Sequence, residues 1–369
     1  MNAGPAAQQA HHRALSTPGN PPAATGSVSV VMATYNGSRF LREQLASLAA
    51  QSVLPFELIV ADDGSTDGTP ELVADFATTA PFRVVLVRNA ERLGYGENFL
   101  RATKLTSGDL VAFCDQDDVW RADKLAVAER TLADTGAGMF VHAAYLVDEN
   151  RRRLGTFTQR IGRPMCHEPL SLPPWSVFYG LSMVFRRELL ALVDASRRGR
   201  HTFDRDRTLS HDLWLYFLAT SLGRVAATPI PLVDYRQHGA NQTPHLVGGG
   251  LQRWTSSLGK PVDLKLPRNE IARDRAGLLV ELSRTHADAD VRGAAERAAR
   301  YWTRIAGFED LRFRLYAAER PSGRAAAGAR LVLRGGYRTF RRGGLGPRLA
   351  LKDVLAGILQ ARTPRRRPR

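Results

Sequence analysis

The chain has 369 residues, 44% of them hydrophobic and 24% charged, with two cysteines and a formal net charge of +16. That apolar content supplies a sizeable core, while two cysteines exclude a disulfide framework and favour a reducing compartment. The charge is uneven, because residues 321–369 hold thirteen Lys or Arg against a single acid, Asp353, and so carry +12 of the +16.

Residues 1–27 are rich in Ala, Pro, Gly, Gln and His with no continuous apolar stretch. They read as a disordered lead-in, neither a secretory signal nor a membrane span. No window approaches the ~20 uncharged apolar residues that a transmembrane helix needs. From residue 28 onward, short β-branched runs alternate with helical periods. VSVVMAT at 28–34 predicts a strand, and 39–50 a helix with Phe40, Leu41, Leu45 and Leu48 on one face. FELIVA at 56–61, FRVVLVR at 82–88 and DLVAFC at 109–114 predict three more strands, each followed by a helix, over 69–76, 97–106 and 124–133. This rhythm calls for βαβ units and a Rossmann-like, mostly parallel α/β sheet covered by helices on both faces. Residues 139–147 predict a further strand, after which Pro164, Pro169, Pro173 and Pro174 break the rhythm. An apolar stretch at 177–185, a helix from His211 and a strand at 224–233 follow. Residues 269–320 are Ala-, Leu- and Arg-rich with helical spacing, and read as a C-terminal helical appendage.

Acidic residues recur at the strand ends: Asp62 and Asp63, then Asp115, Asp117 and Asp118, then Asp212 after His211. Carboxylates at the carboxyl ends of neighbouring parallel strands converge on the crevice where open α/β sheets bind ligands. Packed like charges raise one another's pKa unless a cation or hydrogen-bond donors compensate. A divalent metal, Mg²⁺ or Mn²⁺, carrying a phosphorylated substrate answers that conflict. Tyr35-Asn36-Gly37 follows the first strand; it suits either an ordinary βα turn or a set of amides offered to a ligand at a helix N-terminus. In Asp62-Asp63-Gly64-Ser65-Thr66-Asp67-Gly68, helix capping accounts for Asp67 or Thr69 but not for the first two acids together. Trp120 follows the Asp115–Asp118 acids directly and pins them against apolar surface, which argues against a merely solvated loop. Asp212 either complements a helix dipole or, facing a cleft, serves as a general base. The stretch from Tyr235 to Gln242 gathers Arg236, His238, Asn241 and Gln242 around Gly239, suited to a diphosphate or to one nitrogen ligand for the metal.

Taken together, VSVVMATYNGSRFLREQLASLAAQ, ELIVADDGSTDGT and LVAFCDQDDVW resemble the family 2 glycosyltransferases of GT-A fold, over residues 28–245. SHDLWLY and YRQHGANQT turn the resemblance toward bacterial rhamnosyltransferases of surface polysaccharide synthesis. The resemblance implies that Ala33, Tyr35 and Asp63, with Asn36 and Asp62 beside them, hold the nucleoside. It places Asp115 and Asp117 at the family's DxD motif, Asp117 and Asp118 at ribose and metal-diphosphate, and Asp212 at the catalytic base. Arg236 would complete the diphosphate site and His238 the metal site. The implied reaction is inverting transfer of one sugar from a dTDP- or UDP-type donor to a saccharide or lipid-linked acceptor, in the cytoplasm or at the inner face of the cell membrane. Gln252-Arg253-Trp254 lacks the spacing of the Gln-x-x-Arg-Trp motif of processive relatives. The implied division is a nucleotide-sugar half at about 28–120, an acceptor half at about 121–245, the appendage at 246–320 and a basic tail at 321–369.

The basic tail flanks apolar residues 349–359 with arginines and suits either an anionic membrane or a solvated extension. Nucleic acid is not expected as a partner, because strand-end carboxylates repel phosphates and no nucleic-acid-binding motif occurs. A non-catalytic nucleotide-sugar-binding module is the other alternative, and the presence of every acid the chemistry needs stands against it.

Overall fold

The computed structural model describes residues 26–202, 204, 207–239, 268–354 and 357. The lead-in before residue 26, Asn241, Gln242, the Gln252-Arg253-Trp254 stretch and the last twelve residues lie outside the described residues. One ten-stranded sheet forms the centre, with strands ordered β3-β2-β1-β4-β9-β6-β10-β5, while β7 pairs with β6 and β8 with β10. The four expected N-terminal strands, β1 (Val28–Thr34), β2 (Glu57–Asp62), β3 (Arg83–Arg88) and β4 (Leu110–Asp115), are parallel and in the register that the βα rhythm requires. Burial explains their composition. Val30, Met32, Leu58, Val60 and Cys114 point to one face and Val31, Ile59, Val111 and Phe113 to the other, so β1, β2 and β4 are buried on both faces and their middles are apolar.

Helices α1 (Ser38–Ala49), α2 (Thr69–Ala77) and α4 (Lys124–Thr135) cover the first face through Leu41, Leu45, Leu48, Val73, Leu125 and Leu132. Helices α3 (Tyr95–Thr103) and α6 (His211–Leu222) cover the second through Phe99, Leu215 and Ala219. Beyond β4 the sheet turns mixed: β9 (Val184–Arg186) runs antiparallel to both β4 and β6 (Met139–Val147), and β10 (Val225–Arg236) returns parallel to β6. Three short strands were not expected: β5 (Val119–Trp120), β7 (Arg153–Phe157) and β8 (Met165–His167). The apolar stretch at 177–185 divides into a 3₁₀ turn at Gly180–Ser182 and the start of β9, preceding the short α5 (Glu188–Ala191).

Among the described residues the appendage comprises α7 (Arg268–Thr285) and α8 (Ala289–Ala317). It is not a separate lobe, because Leu279, Ile305 and Trp302 share one core with Leu213, Trp214 and Phe217 of α6. Arg275 is buried at this junction, its guanidinium 4.6 Å from the Trp302 ring and 4.7 Å from that of Phe217. The expected basic tail begins as ordered structure: α9 (Pro321–Leu333) packs on α8 through Ala327, Gly328 and Leu331, and α10 (Pro347–Lys352) follows. Among the described residues no helix is long and apolar enough to cross a membrane.

Candidate active site

Parallel register brings the acids together. Ala33 near the end of β1 stands across from Asp115 on β4 and from Ala61 on β2, and Thr34 across from Asp62. The loop after β1 is stitched to its neighbours by its own backbone. The amides of Asn36, Gly37 and Ser38 donate to Ser65 Oγ at 2.8 Å, Thr69 Oγ1 at 2.9 Å and Asp67 Oδ2 at 3.0 Å. Asn36, at φ +46°, accepts from the Thr66 amide through its side chain. These amides are therefore paired within the protein, as in a βα turn. Burial pushes the Asp67 carboxyl up, but hydrogen bonds from Thr69 and Ser38 outweigh it and hold the carboxyl below its usual value.

Asp62 and Asp63 are both buried and satisfied from within. Asp62 accepts from Thr34 Oγ1 at 2.9 Å and from the Ser65 amide at 2.9 Å. Asp63 accepts from the amides of Leu93 and Gly94 at 2.7 and 2.8 Å and from Asn89 at 3.1 Å. Both thus shape the loops around the crevice, which the expectation of nucleoside ligands did not include. Tyr35 is exposed at the mouth, with the Arg92 guanidinium 3.8 Å from its ring centroid.

Gln116, which the sequence did not single out, joins the two loops that frame the crevice. Its side-chain oxygen accepts from the Tyr35 amide at 2.9 Å and its nitrogen donates to the Tyr35 carbonyl at 3.1 Å. A Cβ on Gly37 would lie 2.2 Å from that oxygen, so only glycine admits the pairing.

The remaining acids converge. Burial, Asp117 and Asp212 together push the Asp115 carboxyl up to about 7. Burial, Asp117 and Asp115 also raise Asp118 well above the carboxylate range. Asp212 thereby belongs to the same electrostatic cluster as the β4 acids, although it arrives from the start of α6. Its Oδ1 accepts from Ser210 Oγ and from the Leu213 amide. His211 beside it is buried and stacked on Phe99 at 4.3 Å, packed so close to Gly180 that a Cβ there would meet its ring nitrogen at 2.7 Å. Tyr95 completes this wall, its hydroxyl pKa raised by burial and by Asp212.

Lys124, also unforeseen, is buried at the start of α4. Its ammonium donates to the Leu181 carbonyl at 2.8 Å and lies 3.6 Å from the Trp120 ring centroid. Burial drives its pKa down to about 7, against the opposing pull of Cys114, Asp118 and Asp115.

Arg236 and His238 both meet the acidic loop after β4. Arg236 is buried, and its guanidinium donates to the Asp117 carbonyl at 2.8 Å, the Glu149 carbonyl at 2.5 Å and Glu43 at 2.9 Å. Its amide reaches Asp118 Oδ1 at 3.0 Å. The residue holds the acidic loop through both its amide and its guanidinium. His238 Nε2 lies 2.8 Å from Asp117 Oδ2. Among the described residues no group of three or more His, Cys, Asp or Glu is gathered as a metal ion requires, so Asp117, Asp118 and His238 do not form a ready-made site. The donor chemistry still fits a hard divalent cation, since Asp118 Oδ2 is buried without a hydrogen-bond partner and crowded carboxylate oxygens surround it.

Residues 29–192 match the sequence profile described as glycosyl transferase family 2. Over these residues, somewhat under half of the chain, the sequence is similar to that family. The uncharacterized glycosyltransferase alr2836 of Nostoc sp. is 25% identical over 58% of this chain and 66% of its own length. The dTDP-rhamnosyl transferase RfbG of Shigella flexneri is 34% identical over 30% of this chain and 39% of its own. The chain thus spans less than two thirds of the length of these curated relatives. The crystal structure of S. aureus TarS 1-349 in complex with UDP superposes with a TM-score of 0.50 at 16% identity, covering 89% of this chain and 90% of that one. The fold that holds the matched segment is GT-A. Asp212, Arg236 and His238 lie C-terminal to the matched segment, joined to it by the sheet and by α6.

Proposed function

We propose that this chain is an inverting glycosyltransferase. It moves a single sugar from a nucleoside-diphosphate donor to a saccharide or lipid-linked saccharide in cell-surface polysaccharide synthesis. The observation that carries this reading is the convergence of Asp212 with Asp115 and Asp117 at the β1–β4 crevice of a family 2 domain. Two tasks need acids there. In the donor task, Asp115 and Asp117 would accept hydrogen bonds from ribose hydroxyls at the crevice. In the acceptor task, Asp212 takes the proton of an acceptor hydroxyl while that oxygen bonds to the anomeric carbon. The bond from that carbon to the diphosphate oxygen breaks, and the nucleoside diphosphate leaves with the electron pair. One displacement with one base inverts the anomeric centre. A divalent cation held by Asp117 and Asp118, with His238 beside them, would supply positive charge to the leaving diphosphate.

The named activity of the Shigella relative favours a dTDP-linked deoxysugar such as rhamnose as the donor. A lipid-linked acceptor would put the protein in the cytoplasm, at the inner face of the cell membrane. The test is release of free nucleoside diphosphate from a panel of UDP-, dTDP- and GDP-sugars, with and without EDTA, since slow transfer to water reports the donor without the acceptor. Release from one donor that EDTA abolishes is the expected result. Absence of both release and nucleotide binding across the panel would overturn the reading.

A further inference from the structure

Helix α9 is apolar on two sides. Its inner side, Ala327, Gly328 and Leu331, is buried against α8. Its outer side carries Ala325, Ala329, Val332 and Leu333, all exposed, at the three- and four-residue spacing that lines one helix face. Val332 is 64% and Leu333 83% exposed. A surface helix of a globular protein ordinarily turns polar side chains outward, so this outer stripe is out of place in water. On α10 and just beyond it, Leu351 and Val354 are exposed as well, at 46% and 41%.

The charge around these side chains has one sign. Residues 321–353 contain eight Lys or Arg and one acid, Asp353. Arg330, Arg334, Arg338, Arg341, Arg342 and Arg348 are exposed. The one acid does not offset them at the surface, because it is sealed inside. Asp353 accepts from Arg312 at 2.9 and 3.1 Å, from Tyr316 at 2.7 Å and from Tyr337 at 3.1 Å. Arg312 bonds Glu309 at 3.0 Å, and Glu309 accepts from Trp175 Nε1 at 2.7 Å. The cationic segment is thereby fixed to the appendage and, through Trp175, to the loop that follows β8.

We propose that the outer face of α9, with Val332 and Leu333 between Arg330 and Arg334, docks on an anionic lipid bilayer. Aliphatic side chains enter the acyl boundary while the flanking guanidinium groups meet lipid phosphates, which is the pairing that interfacial helices use. Nucleic acid would answer the charge but leave the aliphatic stripe in water. Docking rests on the lipid-linked acceptor of the proposed function only for its purpose, and the assay below needs no turnover.

The experiment is co-sedimentation of the full chain with phosphatidylcholine vesicles, with and without phosphatidylglycerol, alongside a single-stranded RNA. Binding only to the anionic vesicles is expected. Each Arg near such a surface contributes about a five-fold gain in partitioning, so R330Q/R334Q should bind roughly 25-fold more weakly at low salt. V332S/L333S should lose roughly ten-fold or more through its missing apolar contact. Circular dichroism of both exposed-site variants should match the parent. Equal binding to neutral vesicles, preference for the RNA, or variants that partition like the parent would each overturn the proposal. Donor hydrolysis measured on the same samples separates this outcome from failure of the transferase reading.

Discussion

Asp115 is opposed in its ionisation by burial, by Asp117 and by Asp212, and its carboxyl is pushed up to about 7. A carboxyl whose folded pKa lies above its unfolded value holds its proton more tightly in the native state. Its contribution to stability is therefore full below pH about 4 and is lost as pH rises through about 7. Thermal melts of the ligand-free protein between those limits should show a decline on the order of 2 kcal/mol, after allowance for solvent screening at the cleft, that Asp115→Asn removes. Equal slopes for the two proteins would take Asp115 out of the account. Asp212 has a different prediction, because it would act on the acceptor and not on the nucleotide. Asp212→Asn should leave nucleotide affinity within about two-fold and slow transfer by about 10²- to 10⁴-fold, as read from single-turnover kinetics. The individual acids were legible because three carboxylates around a strand end are costly without a purpose. Lys124 was not, since a lysine opening a helix reads as solvated until the fold buries it under Trp120 and Leu181.

At the scale of elements, the parallel strands were readable because burial on both faces leaves a near-continuous apolar run rich in β-branched residues, as in VSVVMAT. The strands β5, β7 and β8 were not readable. Two to five residues with Arg153, Thr156 and His167 among them carry no period, and only pairing with β6 and β10 makes them strands. The same limit hid the contact between the two crevice loops. Gly37 looked like a turn residue, whereas the structure shows a second demand on it, from the Gln116 side chain 81 residues away from its partner Tyr35. Gly37→Ala should therefore displace the Gln116 amide from the Tyr35 backbone and cost about 1–2 kcal/mol for the lost pair of hydrogen bonds. Gln116→Ala should cost about the same. Denaturant titration of Gly37→Ala with Gln116→Ala in one chain decides the point. The alanine at 116 should relieve most of the loss at 37, and simple additivity would refute the steric account.

Over the whole molecule, the helices of the appendage and the start of the tail share one core with α6. Periodicity marks a helix but not its partner, so Trp302 could be assigned to a helix while its contact with Phe217 of α6 could not be foreseen. The Arg312–Asp353–Glu309 network shows how the end of the chain is held, and breaking it leaves carboxylates buried without their cation. Arg312→Met should lower stability by about 3–5 kcal/mol, the cost of orphaning a buried partner. Hydrogen exchange should then rise first in α10, whose neighbour Asp353 it releases. Unchanged exchange there would mean that packing alone holds the segment.

The amide pair between Gln116 and Tyr35 also makes the crevice sensitive to the exchange of one group. Gln116→Glu would turn that side chain into a carboxylate, an acceptor with no donor. The Tyr35 carbonyl would then face a negative oxygen, and a further anion would enter a neighbourhood where Asp115 and Asp118 already resist ionisation. One substitution at a residue outside the chemistry would thus loosen the crevice and alter its charge together, and Gln116→Glu should lose donor affinity while keeping its fold.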